Sequence, residues 1–178
     1  MTKAIVIGII VALGLVVFTF LNQADVSTLQ KGDKVPLFTL KNQNSEVFDI
    51  ANFIGKKNLV IYFYPKDDTP GCTKEACKFR DEFEVFTDLD ALVIGISADS
   101  PESHTEFIEK YTLPFTLLSD EENEVRKLFG VKGKFMNIIP GRVTFIADKN
   151  GIIQYAFDSM GNAEQHVEEA RKVLENLK

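Results

Sequence analysis

The sequence contains 178 residues, with 20 Lys and Arg, 26 Asp and Glu, and a net charge of −6 at pH 7. This acidic balance, with no block of basic residues, excludes the charged surface that nucleic-acid-binding proteins require. Only two Cys and two His are present. They are too few for the disulfide framework of a small secreted fold or for a typical structural zinc site.

The N-terminal segment differs in composition from the rest of the chain. Residues 4–21 are uncharged and mostly apolar, and a helix of that length is about 27 Å long, close to the roughly 30 Å core of a bilayer. We predict a membrane anchor, with a cleaved signal peptide or a buried soluble helix as the alternatives. Asn22 fits poorly at the outer small position of a cleavage site, which favours the uncleaved anchor.

The charges around this segment predict its orientation. Lys3 and the terminal amine favour a cytoplasmic N-terminus and export of the rest of the chain. Lys31 and Lys34 weaken that asymmetry, so a domain facing the cytoplasm stays an alternative, as does secretion after cleavage. The predicted organisation is an anchor or signal segment with a short flank at residues 1–24, followed by one domain at residues 25–178.

The domain alternates between strand and helix patterns. Apolar runs and two turn signals predict strands at 38–40, 46–48, 59–64, 92–96, 117–118, 143–147 and 152–156. Helical spacing and cap residues predict helices at about 72–86, 99–111, 121–129 and 163–177. Gly130 is expected to be the left-handed cap after the third of these, and Asn162 the cap residue before the fourth. This order predicts an α/β domain, a mixed central sheet with helices on both faces, which is compatible with a thioredoxin-like fold.

Cys72 lies at the predicted entrance of a helix that directly follows a buried strand. Unpaired amides and the positive end of the helix dipole favour a thiolate there, which is the reactive form of the side chain. Pro70 suits a tight approach to the helix, Gly71 allows the backbone close to a small ligand, and Thr69 supplies a hydroxyl for the thiolate or a peroxide oxygen. Arg142, which opens a strand, is the best candidate for an arginine that completes the site.

The opposing interpretation is that Cys72 is a small buried hydrophobic side chain on the apolar stripe of its helix. Its place in a Thr-Pro-Gly turn, with a second cysteine nearby, favours the functional interpretation. Arg80 and Arg126 lie on predicted helices and are expected to form surface ion pairs. His104 and His166 are expected to be solvated helix residues rather than bases.

Cys77 follows Cys72 by five positions on the same predicted helix. Residues so spaced are separated by about 7.5 Å along the axis and about 140° around it, so their Cα atoms are roughly 8–9 Å apart. A disulfide requires a separation of at most about 7 Å. The two cysteines therefore cannot bond while the helix is intact, and oxidation to a disulfide requires its first turns to unwind.

Residues 62–77, with the sequence YFYPKDDTPGCTKEAC, closely resemble the active-site segment of the Q-type peroxiredoxins, also called bacterioferritin-comigratory proteins. The resemblance covers about residues 31–178, including later blocks at 93–100, 117–120 and 142–148. It implies a thioredoxin-like fold and a peroxidase that reduces hydrogen peroxide and organic hydroperoxides without metal, haem or flavin. It also implies a monomer that is reduced by thioredoxin or a similar dithiol protein.

The same resemblance implies a role for each residue of the site. Cys72 matches the peroxidatic cysteine, which becomes a sulfenic acid, and Cys77 matches the resolving cysteine, which closes an intramolecular disulfide. The family's polar active-site pair is matched by Thr69 and Arg142. Its shielding prolines are matched by Pro65 and Pro70.

Several alternatives stay open. Glu75 is expected to help hold the Cys72 turn, and the apolar side chains of residues 131–141 are candidates to pack, line the substrate mouth or dock a reductant, with packing favoured. Two other functions are a membrane-tethered thiol–disulfide oxidoreductase and a peroxide-sensing redox switch. The spacing of the cysteines and Thr69 favour the peroxidase over the oxidoreductase, whereas nothing in the sequence separates catalysis from signalling.

Overall fold

The computed structural model of the chain describes residues 27–133 and 139–177. Within these residues, no helix is both long enough and apolar enough to cross a membrane. The predicted anchor at residues 4–21 lies outside the described residues. So do Phe135, Met136 and Ile138, which are three of the apolar side chains noted in the segment 131–141.

A seven-stranded sheet forms the centre of the domain. Its strands are β1 (Thr39–Asn42), β2 (Val47–Asp49), β3 (Asn58–Phe63), β4 (Ala91–Ser97), β5 (Thr116–Ser119), β6 (Val143–Ala147) and β7 (Ile153–Asp158). They lie in the order β2-β1-β5-β4-β3-β6-β7. β4 pairs in parallel with β3 and β5, and the other neighbours are antiparallel. The predicted mixed sheet and both predicted hairpins are confirmed.

The helices are α1 (Pro70–Asp81), α2 (Phe83–Asp88), α3 (Pro101–Tyr111), α4 (Glu124–Leu128) and α5 (Ala163–Glu175), with a 3₁₀ turn at Ile50–Asn52. The prediction of one helix over 72–86 is wrong, because Glu82 leaves the helical conformation with φ −104° and ψ 12°. The carboxylate of Glu82 is bound there by Lys78 and Arg171. The helix predicted at 121–129 is shorter than expected, since Asn123 adopts a left-handed conformation before α4.

The strand β3 is buried on both faces, as its apolar run predicts. Its alternate side chains enter two separate cores. One core contains side chains from α1, α2, α3 and α5, and the other contains side chains from α4, the 3₁₀ turn and the segment before β1. Each large apolar side chain buried in this way contributes about 1.5–3 kcal/mol. Helices therefore lie on both faces of the sheet, and Cys72 lies on the face that carries four of them.

The ends of the helices differ in how they are capped, and among the described α-helices only α3 begins with a side-chain capping hydrogen bond. Gly130, after α4, has a φ of +64°, and a Cβ there would lie 2.3 Å from the Ser27 carbonyl oxygen, so glycine is required twice over. The predicted left-handed cap is confirmed. Ser100 caps α3 by accepting a hydrogen bond from the Ser103 amide at 3.4 Å. Asn162 occupies the predicted cap position of α5, but its side chain makes no capping hydrogen bond.

Candidate active site

Cys72 is the third residue of α1, at the point where the chain leaves the sheet. Thr69 precedes the helix in an extended conformation, and its carbonyl accepts the hydrogen bond of the Thr73 amide at 2.8 Å. The amides before Thr73 have no carbonyl partner within the helix, so they and the helix dipole favour an anion. The Cys72 side chain is only 2% exposed. The predicted position of Cys72 at a helix entrance after a buried strand is confirmed.

The pairing of β3 with β6 brings Arg142 to Cys72. Val143, the first residue of β6, is the partner of Phe63, the last residue of β3, so Arg142 lies beside the turn into α1. Its Nη2 donates a hydrogen bond to Cys72 Sγ at 3.2 Å. A Cβ at Gly71 would lie 3.1 Å from the same nitrogen. The absence of a side chain at Gly71 therefore leaves room for the guanidinium as well as for a ligand.

Glu75 is completely buried, and its Oε2 accepts a hydrogen bond from Arg142 Nη1. Burial raises the pKa of the Glu75 carboxyl to about 8, and the positive charge of Arg142 opposes that rise. The sequence predicts that Glu75 helps to hold the Cys72 turn, and the structure shows it bonded to Arg142, the residue that contacts the sulfur. One guanidinium thus serves two acidic side chains.

The prediction that Arg126 forms a surface ion pair is wrong. Arg126 is 6% exposed, and its guanidinium donates to the carbonyl oxygens of Gly141 and Tyr64, each at 2.9 Å. Burial lowers the pKa of Arg126 to about 10, so the side chain stays cationic at neutral pH. It holds together the end of β3 and the segment before β6, and its charge acts on Cys72.

The prediction that both histidines are solvated is also wrong, because His104 and His166 are fully buried. His166 Nδ1 lies 2.8 Å from Thr144 Oγ1, and Nε2 lies 2.8 Å from the Ser159 carbonyl oxygen. Nδ1 also faces Glu75 Oε1 at 3.7 Å. Burial lowers the pKa of His166 to about 4, so the ring is neutral at neutral pH. His166 therefore belongs to the buried cluster behind Cys72.

His104 belongs to a second buried cluster, in the segment that leads into α1. Its Nδ1 lies 2.8 Å from Asp67 Oδ2, which also accepts a hydrogen bond from the Ser103 hydroxyl at 2.8 Å. Asp67 Oδ1 accepts from the Tyr64 hydroxyl at 2.6 Å, and the Asp67 amide donates to Asp99 Oδ2 at 2.9 Å. These bonds fix the segment before α1 against α3.

The sequence does indicate that the two histidines are buried, although the polarity of their side chains suggests the surface. His166 directly precedes Val167 and follows Ala163 by three residues, on the apolar stripe of α5. His104 precedes Phe107 by three residues, on the buried face of α3. A polar side chain on such a stripe indicates a buried hydrogen-bond partner, although it does not identify that partner.

Thr69 and the two prolines border the site. The Thr69 hydroxyl donates to the Lys66 carbonyl at 3.0 Å, so its single hydrogen is engaged, and the predicted bond to a thiolate or peroxide requires the side chain to rotate. Pro65 is half-buried, and Pro70 is the exposed first residue of α1. The shielding role of both prolines stays a prediction.

Cys77 lies in the same helix as Cys72 and is partly exposed, and both thiols are free. Because α1 is continuous from Pro70 to Asp81, helical geometry holds the two Cα atoms about 8–9 Å apart. The structure thus places the cysteines as the spacing predicts. Arg80 pairs with Asp81 at 2.8 Å near the surface, as predicted.

Residues 31–156 match the AhpC/TSA family. The chain belongs to the AhpC/TSA family. Among its relatives, peroxiredoxin Q, chloroplastic, from Sedum lineare is 50% identical over 148 residues, covering 83% of this chain and 79% of that protein. Peroxiredoxin Q, chloroplastic, from Arabidopsis thaliana is 48% identical over 146 residues, covering 82% and 67% respectively.

Solved structures of this family have the same fold. Peroxidoxin BcpB from Mycobacterium tuberculosis matches with a TM-score of 0.79 at 31% identity, covering 84% of this chain and 99% of that one. A PrxQ mutant from Xylella fastidiosa matches with a TM-score of 0.78 at 29% identity, covering 86% and 100% respectively. The fold is thioredoxin-like, and the resemblance to the Q-type peroxiredoxins is confirmed. The protein is a thiol-dependent peroxidase of that type.

The described part of the chain contains no group of three or more His, Cys, Asp and Glu side chains that could hold a metal ion. The reactive groups that the site brings together are the Cys72 sulfur, the Arg142 guanidinium and the amides at the entrance of α1.

Proposed function

We propose that Cys72 is the peroxidatic cysteine of this peroxidase and that Cys77 resolves it. The observation that carries this assignment is the 3.2 Å hydrogen bond from Arg142 Nη2 to Cys72 Sγ, made between two side chains that are almost completely buried. A guanidinium fixed at this point stabilises a thiolate and the negative charge that develops on a peroxide oxygen. The entrance of α1 adds further positive potential.

The first step is attack of the Cys72 thiolate on the hydroxyl oxygen of a hydroperoxide, ROOH. The S–O bond forms as the O–O bond breaks, so the sulfur is oxidised by two electrons and the peroxide is reduced by two. The products are the Cys72 sulfenic acid and RO⁻, which takes up one proton. We propose hydrogen peroxide and organic hydroperoxides as substrates, giving water or an alcohol as the released product.

The second step is attack of the Cys77 thiol on the sulfenic acid, which forms the S–S bond and releases water. The two cysteines lie in one continuous helix, so the first turns of α1 unwind before they meet. Phe79 is completely buried in the core and anchors the later part of α1, which confines the unwinding to the residues before it. A dithiol protein such as thioredoxin then reduces the disulfide, and the chain works as a monomer.

The roles of the two cysteines are tested by replacing each with serine. Cys72→Ser abolishes peroxide consumption in an assay coupled to thioredoxin and its reductase. Cys77→Ser allows a single turnover and traps Cys72 as a sulfenic acid, which mass spectrometry detects. Thr73→Ser, next to Cys72 but partly exposed, is the matched control and keeps wild-type turnover.

Three outcomes would contradict the assignment. Wild-type peroxide turnover by Cys72→Ser would remove the central role of that residue. Rapid reduction of protein disulfides without peroxide turnover would instead favour the thiol–disulfide oxidoreductase. A sulfenic acid that forms once and is not recycled by any dithiol protein would favour a redox switch.

We further propose that residues 1–24 anchor the chain in a membrane and that residues 25–178 are a peroxidase domain outside the cytoplasm. The support is the uncharged segment 4–21, preceded by a single charge at Lys3. Alkaline extraction should leave the full-length protein with the membranes. Protease that reaches only the outer face of the membrane of intact cells should digest the domain. A full-length soluble protein would contradict the anchor, and a shortened one would indicate a cleaved signal.

A further inference from the structure

Four side chains form a buried row behind the site: Cys72, Arg142, Glu75 and His166. Arg142 contacts both the Cys72 sulfur, at 3.2 Å, and the Glu75 carboxylate. Glu75 in turn faces His166, and no member of the row is more than 3% exposed. One guanidinium therefore lies between two groups, a thiol and a carboxyl, that can each carry a negative charge away from solvent.

Glu75 is left with one unsatisfied oxygen. Arg142 binds Oε2, whereas Oε1 is buried without a hydrogen-bond partner and lies 3.7 Å from His166 Nδ1. The other ring nitrogen, Nε2, lies 2.8 Å from the Ser159 carbonyl oxygen, which only accepts. The neutral ring therefore carries its hydrogen on Nε2, and the single lone pair of Nδ1 accepts a hydrogen bond from the Thr144 hydroxyl at 2.8 Å. Glu75 Oε1 therefore faces an electronegative nitrogen that has no hydrogen to donate, which disfavours the charged carboxylate.

Burial decides whether Glu75 or His166 holds the proton. Burial raises the pKa of Glu75 to about 8 and lowers the pKa of His166 to about 4. At pH 7 the proton is therefore held by the carboxyl and not by the imidazole. The other titratable or charged groups that act on the pair come from α1, the start of β6, β3 and the end of β7: Cys72, Arg142, Tyr62 and Asp158.

We propose that Glu75, supported by His166, stores the proton that the leaving oxygen of the peroxide requires. While Cys72 is a thiolate, Glu75 is neutral, so one thiolate balances the one charge of Arg142. When Cys72 becomes a neutral sulfenic acid, Glu75 ionises and replaces the thiolate as the anion beside Arg142. The row keeps the same net charge throughout, which matters because an unbalanced charge is costly in a buried site.

This inference rests on the proposed role of Cys72 and completes the balance of its reaction. The thiolate, neutral Glu75 and ROOH yield the sulfenic acid, the Glu75 carboxylate and ROH. The S–O bond forms, the O–O bond breaks, and the proton moves from the carboxyl to the alkoxide. Reduction of the disulfide returns Cys72 as a thiol, whose proton passes back to Glu75. His166 acts through Glu75 and is a positioning residue.

Proton counting tests the storage of a proton on Glu75. Cys77→Ser protein, which stops at the sulfenic acid, is mixed with one equivalent of hydrogen peroxide at pH 7 in weak buffer containing an indicator dye. We expect almost no proton uptake from the medium. The double variant Cys77→Ser/Glu75→Gln should take up close to one proton per Cys72 oxidised. Glu168→Gln, at an exposed position of α5, is the matched control and should behave as the parent does.

Mass spectrometry of the same samples separates the two ways in which the experiment can fail. If no sulfenic acid forms on Cys72, the proposed function is contradicted. If sulfenic acid forms and proton uptake is equal with Glu and with Gln, the storage of the proton on Glu75 is contradicted and the role of Cys72 stands. Infrared difference spectra of the parent protein give a second measurement, because the band of the protonated Glu75 carboxyl should disappear on oxidation. Its absence from the reduced protein would overturn the inference.

The pH dependence of the reaction tests His166. In His166→Leu, the electronegative Nδ1 no longer faces the carboxyl, so Glu75 ionises more readily and competes with the thiolate for Arg142. The midpoint of the rate against pH should rise by about one unit. His166→Asn, which keeps an acceptor oxygen near the position of Nδ1, should restore most of the shift.

A double-mutant comparison distinguishes this role from a structural one. In the Glu75→Gln background, His166→Leu should leave the pH midpoint unchanged, since the group through which it acts no longer titrates. An equal shift in both backgrounds, or no shift in either, would show that His166 does not act through Glu75.

Discussion

Two buried pairs of an acid and a histidine, Asp67–His104 and Glu75–His166, lie where the chain passes from β3 into α1. They differ in how many oxygens of the acid have a hydrogen-bond partner. Both carboxylate oxygens of Asp67 have partners, namely Tyr64, Ser103 and His104. Glu75 has Arg142 on one oxygen, while the other is buried without a partner, 3.7 Å from His166.

This difference gives Asp67 a structural role and Glu75 a chemical one. A buried carboxylate that accepts several hydrogen bonds is stabilised in its charged form, whereas one with a bare oxygen is stabilised when it is neutral. Asp67 is therefore suited to fix the segment before α1 on α3. Glu75, which shares Arg142 with Cys72, is suited to change its charge when Cys72 does.

The largest expected effect is the loss of the guanidinium that serves the Glu75 cluster. Arg142→Met should lower the second-order rate constant for hydrogen peroxide by about 10²–10³-fold, because the thiolate and the developing oxyanion lose their charged donor. Stopped-flow kinetics measures this rate. Arg171→Met, on the surface of α5 with 43% of its side chain exposed, is the matched control and should react as the wild type does. A loss of less than tenfold in Arg142→Met would contradict the idea that the Glu75 cluster, unlike the Asp67 cluster, has a chemical role.

The next effect concerns Asp67 and is expected in the free energy of unfolding instead of the reaction rate. Asp67→Asn should lower the free energy of unfolding by about 2–3 kcal/mol, since the amide nitrogen of Asn cannot accept the hydrogen bonds that one buried carboxyl oxygen of Asp67 accepts. Urea denaturation measures this change. The folded variant should keep a rate with peroxide far closer to the wild type than that of Arg142→Met.

The neighbouring aspartate provides a control for Asp67. Asp68 binds Lys110 and Tyr111 with 48% of its own side chain exposed, so Asp68→Asn should leave the urea midpoint almost unchanged. Equal destabilisation by the two variants would contradict the idea that burial and full bonding give Asp67 its structural role.

The smallest effect is local and compares the two elements that Asp67 joins. Amides at 72–80 in α1 should exchange faster in the oxidised protein than in the reduced one, because the Cys72–Cys77 disulfide cannot form in an intact helix. Amides of α3 should keep their protection, since the hydrogen bonds of Asp67 hold that helix in both states. Hydrogen exchange measured by mass spectrometry covers both regions. Equal protection of 72–80 in the two states would contradict the unwinding of α1.

Features that depend on neighbouring residues could be predicted from the sequence. The burial of β3, the place of Cys72 at the entrance of α1 and the left-handed Gly130 all follow from short-range patterns. The separation of Cys72 and Cys77 follows from helical geometry alone. The prediction of one helix over 72–86 fails because the break at Glu82 is accompanied by an ion pair with Arg171, 89 residues away, which no local pattern indicates.

The chemistry of the site depends on residues that the chain brings together from a distance. The sequence favours Arg142 because it opens a strand, and the register of β3 with β6 brings it to Cys72. Arg126 and His166 carry polar groups that suggest the surface, yet both are buried because distant atoms accept or donate their hydrogen bonds.

The sequence by itself predicts Cys72 as the nucleophile, the helix that holds it and the family of folds, because periodicity and turn chemistry act over a few residues. Only the tertiary structure decided which oxygen of Glu75 is bonded and which faces His166. The physical reason is that burying a polar group requires a partner, and the partner is chosen by packing across the sheet and not by spacing along the chain.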